Sequence, residues 1–108
     1  MSSLVEIREQ SAFRLQIDFM GETGALSAPQ SARYRIDCET NRTQIQDWQP
    51  IAPLSESPSI SILPSQNEIL DDRNLYEMRV VTIQADPGES TQYTDRYRYL
   101  VKNLAGIQ

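Results

Sequence analysis

Phe13-Arg14-Leu15-Gln16-Ile17-Asp18-Phe19 decides the fold class, because apolar and polar residues change places at every step. A β-strand turns successive side chains to opposite sides, so Phe13, Leu15, Ile17 and Phe19 would face a core while Arg14, Gln16 and Asp18 face water. A helix would scatter the same residues around its axis. The spacing predicts a strand over residues 12–20.

The same alternation recurs on both sides of this stretch. Upstream, Val5 and Ile7 alternate with Glu6 and Arg8, predicting a short first strand that turns near Gln10 and Ser11. Downstream, residues 21–31 hold two glycines, Pro29 and small polar residues, and read as a loop. Tyr34, Ile36 and Cys38 then alternate with Arg33, Arg35, Asp37 and Glu39. Thr40-Asn41-Arg42 is a turn in which Asn41 can take the left-handed conformation. Residues 43–48 return as an edge strand ended by Pro50 and Pro53, which cannot donate to a ladder. Ile60 and Ile62, bracketed by Pro58 and Pro64, form another edge strand. Residues 65–73 form a helical turn or a crossover between sheets. Between Tyr76 and Ala85 both parities are apolar, so the strand is central or carries a bulge. Asp86-Pro87-Gly88-Glu89 is a turn, and residues 92–102 form the last strand, with Tyr93, Tyr97, Tyr99 and Val101 opposite Arg96 and Arg98. About seven short strands separated by regular turns are the pattern of an antiparallel β-sandwich. At 108 residues the chain reads as one domain over 1–108, ordered over about 4–104.

Composition excludes several function classes. Ten Lys and Arg against fifteen Asp and Glu give a net charge of −5, which repels phosphate backbones and anionic membranes. Neither a nucleic-acid nor a membrane partner is expected. The single cysteine, Cys38, rules out an internal disulfide, and the lack of histidine removes the usual soft metal sites. With no secretory signal at the start of the sequence and no long apolar run, the chain is expected in the cytoplasm when synthesised. A domain of this length is expected to hide enough surface for a purely apolar core without metals or crosslinks.

No set of residues for catalysis can be assembled, so no enzyme, cofactor or metal site is expected. Cys38 has no histidine to activate it and fits a buried position in its strand. Asp71 and Asp72, with Glu68 and Asn67 nearby, lack the spacing of a calcium loop and read as a solvated acidic loop. Tyr34, Tyr97 and Tyr99 fill the core on the alternation argument.

The order of elements resembles an immunoglobulin-like or fibronectin type III-like sandwich. Leu63-Pro64 through Tyr76-Glu77-Met78-Arg79-Val80 is similar to the region joining the fifth and sixth strands of fibronectin type III domains. The second strand lacks that family's Trp, and the paired cysteines of immunoglobulin domains are absent. Arg33-Tyr34-Arg35-Ile36-Asp37, Asp47-Trp48, Ile60-Ser61-Ile62, Val81-Thr82-Ile83, Ala85-Asp86, Gln92-Tyr93 and Arg96-Tyr97-Arg98-Tyr99 resemble small Ig-like proteins of tailed-phage and prophage structural modules. The resemblance implies a virion, tail or accessory component that binds neighbouring protein subunits, further copies of itself included, with incorporation into a virion.

Two clusters are candidate binding residues. In an Ig-like fold Arg33, Arg35, Arg96 and Arg98 share the outer face of one sheet, where they are either neutralised by Asp37, Glu77 or Asp95 or offered to an acidic partner. Asp47-Trp48-Gln49 combines an aromatic ring with a carboxylate and an amide, the composition of a sugar site. It carries the alternative reading, a cellular module that recognises a carbohydrate, peptide or protein through its loops.

Overall fold

In a computed structural model, which describes residues 4–21 and 23–104, the chain is nearly all β, arranged as two sheets. The strands are β1 (Val5–Arg8), β2 (Phe13–Gln16), β3 (Ala32–Cys38), β4 (Thr43–Pro50), β5 (Ser59–Ile62), β6 (Tyr76–Ala85) and β7 (Tyr93–Lys102). One sheet has five strands in the order β1-β7-β6-β3-β4, and the other pairs β2 with β5. The helical turn expected after Leu63 is a 3-10 turn over Pro64–Asn67, placed where the chain crosses from β5 to the larger sheet.

All pairs are antiparallel except β1 with β7, which corrects the expectation of antiparallel strands throughout. β1 and its sequence neighbour β2 belong to different sheets, and β1 lies at the edge of the larger one beside the last strand. The hydrogen bond from Glu9 N to Lys102 O, 3.0 Å, extends that parallel ladder by one residue. β2 is shorter than the alternation predicts. Beyond Gln16, Ile17 N still bonds to Pro58 O and Phe19 N to Glu56 O, so the inward spacing continues although regular pairing ends. In the β3–β4 turn Arg42, with φ 54°, takes the left-handed conformation expected of Asn41. The Asn41 amide is engaged across the fold, donating to Glu77 Oε2 at 3.4 Å.

β6 is central, between β3 and β7, and that position accounts for its two apolar faces. Val81, Ile83 and Ala85 point inward with Ile36, Tyr99 and Val101, and Ile60 and Ile62 of β5 close the core from the other sheet. Phe13 of β2 meets Tyr99 of β7 edge-to-face, with centroids 4.8 Å apart, and so joins the sheets. Tyr99 is fully buried, while Tyr34 and Tyr97 are partly buried against the same core.

The core is not purely apolar. Continuing along the inward parity of β6, Arg79 and Glu77 follow Val81, and both are 0% exposed. Arg79 donates to Glu77 Oε1 at 3.0 Å, to Cys38 Sγ at 3.1 Å and to the Glu68 carbonyl. The Glu77 carboxylate also accepts from the Leu70 and Asp71 backbone N–H groups, at 2.9 Å each, and from Asn74 Nδ2 at 3.1 Å. Burial pushes the Glu77 carboxyl up, but these donors outweigh it and hold it below its ordinary value of 4.5. Cys38 is buried as expected, against this ion pair as well as the apolar core.

A carboxyl with a depressed folded-state pKa stabilises the fold above its unfolded value and loses that contribution as pH falls through the folded value. The urea midpoint is therefore expected to drop as pH falls below the ordinary carboxyl value of 4.5, and Glu77→Gln is expected to flatten that drop. Equal slopes in the two proteins would show that Glu77 does not carry this pH dependence.

Candidate interaction face

The registers place all four candidate arginines on the outer side of the five-stranded sheet. Arg35 of β3 and Arg96 of β7 both stand opposite Thr82 of β6, and Asp37 and Arg98 both stand opposite Val80. Arg33 stands opposite Gln84 and donates to its Oε1 at 2.9 Å. Between these rows Val80 and Thr82 are only 6% and 8% exposed although they point away from the core. The aliphatic stems of long cationic side chains can cover such a strip while the charged heads stay in water.

The two sources of neutralisation differ from the expectation in part. Asp37 takes Arg35, with Nη2 to Oδ1 at 2.7 Å. Glu77 lies on the inner side of the sheet and cannot reach this face, and Asp95 accepts the backbone N–H of Arg96 instead. Glu39, just past β3, takes Arg98 at 3.0 Å. That hydrogen bond is the main cause holding the Glu39 carboxyl below its ordinary value, with Arg96 adding a smaller attraction. The guanidinium of Arg96 has no hydrogen bond or ion pair among the described residues.

The sequence cluster Asp47-Trp48-Gln49 is divided by the β3–β4 register shifts. Trp48 reaches the outer face, where the Arg33 guanidinium lies 4.1 Å from its ring centroid and that of Arg35 5.6 Å away. The Asp47 carboxylate accepts the Trp48 N–H at 2.8 Å. Gln49 stands opposite Tyr34, whose side chain packs toward the core. No alternation signal announces the bulge that makes this split.

Six cations, Arg8, Arg33, Arg35, Arg96, Arg98 and Lys102, lie on this side of the sheet. Against them stand Glu6, Asp37 and Glu39, with Asp47 at the β4 edge. Among the described residues this leaves four cations and ten carboxylates elsewhere, so the face carries +2 and the rest of the described chain −6. The four-residue arginine set was visible in the sequence; Lys102 shares its parity on β7, whereas the contribution of Arg8 required the parallel β1–β7 pairing.

Elsewhere the structure offers less chemistry. A cavity of about 240 Å³ is lined by Tyr34, Pro50, Ile51, Ala52, Ser59, Ile60 and Ser61, without a carboxylate, amine or thiol. Asp71 is paired with Arg73 at 2.8 Å, and that hydrogen bond is the leading cause of its depressed pKa of about 2. Asn67 is buried, with its amide donating to Ser11 O at 2.7 Å and its oxygen accepting from Tyr99. Among the described residues no three of Cys, Asp and Glu gather as ligands for a metal ion. Among the described residues no helix is long and apolar enough to cross a membrane. Comparison with protein-family models, curated proteins and solved structures gave no match.

Proposed function

We propose that this chain is a non-catalytic interaction protein with an immunoglobulin-like sandwich, docking on neighbouring subunits through the outer face of its five-stranded sheet. The single observation behind this reading is that face: six cations and Trp48 gathered on one side of an acidic chain. Arg and Trp are the side chains most enriched at the energetic centres of interfaces, and the arginine charge selects an acidic partner surface. The immunoglobulin-like assignment is supported by a sheet containing β3, β6 and β7 that faces β2 and β5, with β4 added at its edge. The likeness of its strand sequences to phage structural-module proteins supports placing it in a tailed-phage or prophage particle, entered after synthesis in the cytoplasm. The sugar-binding alternative is less well supported, because the Trp48 ring already carries Arg33.

A carboxylate-bearing resin at pH 7 tests the docking chemistry. A protein with net charge −5 and evenly spread charge should pass through, whereas a clustered basic face should retain it until salt is added. The wild type is expected to bind and Arg35→Ser/Arg98→Ser to flow through, with the fold kept because ion pairs near the surface contribute little to stability. Flow-through of the wild type would contradict the reading.

A further inference from the structure

We propose that the acidic partner of this face is a second copy of the same chain, which inserts the tip of its β6–β7 hairpin in a head-to-tail contact. The inference rests on the outer face being a docking surface and adds what docks there.

Two copies joined face to face by a two-fold axis would bring like-charged surfaces together, since the face carries an excess of cations. The contact that charge favours is therefore heterologous, between this face and an acidic part of the next copy. Residues 86–95 supply such a part: Asp86, Glu89 and Asp95 lie there with no lysine or arginine. The tip is held in shape by Asp86, whose carboxylate accepts from Gln30 N at 2.8 Å and Thr91 Oγ1 at 3.0 Å. Gly88, at φ 84°, closes the turn in a conformation that a side chain would strain. Glu89 meets no cation among the described residues. Tyr93, at the start of β7, is 64% exposed, the most exposed large apolar side chain described. An aromatic ring and the Glu89 carboxylate complement Arg96, whose guanidinium is unpaired among the described residues.

Such a contact repeats, because a head-to-tail pair leaves one tip and one face unoccupied. The test uses two variants of the full chain, Arg35→Ser/Arg98→Ser for the face and Glu89→Ser/Tyr93→Ser for the tip, with folding checked by circular dichroism. The wild type in low salt is expected to rise above monomer mass as concentration approaches about 1 mM, and to return to it when salt is added. Each variant alone is expected to remain monomeric, whereas an equimolar mixture reads twice the monomer mass and no more, since each supplies the half the other lacks. A monomeric wild type at that concentration, a monomeric mixture, or a face variant that still associates would overturn the proposal. If the monomeric wild type is nevertheless retained on the carboxylate resin, self-association fails while the docking face stands; if it also flows through, both fail.

Discussion

Glu77→Leu is expected to destabilise the protein by about 3–5 kcal/mol, a large share of the 5–15 kcal/mol typical of a folded domain. The substitution leaves Arg79 charged and fully buried, with only Cys38 and the Glu68 carbonyl still accepting from it. Its Nε already has no partner among the described residues. The Leu70 and Asp71 N–H groups and the Asn74 amide lose their acceptor at the same time, so the segment that joins the 3-10 turn to β6 loosens. Arg79→Met should cost a similar amount by the converse route. The double replacement Glu77→Leu/Arg79→Met should recover much of the loss, because it removes both charges rather than one. Denaturant titration of the four proteins measures this coupling, and additive losses would show that the two side chains are not one unit.

Tyr99→Ala should be comparably damaging, at about 3–5 kcal/mol, because it opens a cavity at the junction of the sheets where Phe13 meets the ring. Tyr99→Phe separates the ring from its hydroxyl. It keeps the edge-to-face contact but leaves Asn67 Oδ1, which accepts the phenol at 2.7 Å, without that donor. Its expected cost is about 1–3 kcal/mol. Urea unfolding with an unchanged m-value checks both figures; a Tyr99→Phe loss equal to the Tyr99→Ala loss would mean the hydroxyl, and not the ring, holds the sheets together.

These two sites mark the limit of what the sequence made legible. Period-two alternation located β1, β3, β5 and β7 almost residue by residue, because β3, β5 and β7 each have one buried side and β1 turns Ile7 toward the core. It also marked β6 as either central or bulged, a choice that the sheet order decides, yet the same regularity concealed Glu77 and Arg79. On parity alone they extend the row of Val81, Ile83 and Ala85, and nothing local indicates that two opposite charges two residues apart will be buried as a pair. Their partners come from residues 68–74 and from Cys38, contacts that exist only after the chain crosses between sheets. The arginine rows were legible because β3 and β7 have clear parity, whereas their counter-charges were not. Glu39 lies past the end of its strand and reaches Arg98 across β6. The parallel placement of β1 had no sequence signal either, since alternation gives which side chains share a face and not the direction of the strand's neighbour.

A titration of the isotopically labelled protein with a short polyglutamate peptide, followed by amide and indole NMR shifts, tests the docking face directly. The shifts are expected at Trp48, Thr82, Arg96 and Arg98, with the β2–β5 sheet unaffected and the response abolished by salt. Shifts centred on β2 and β5, or none at these four residues, would contradict it.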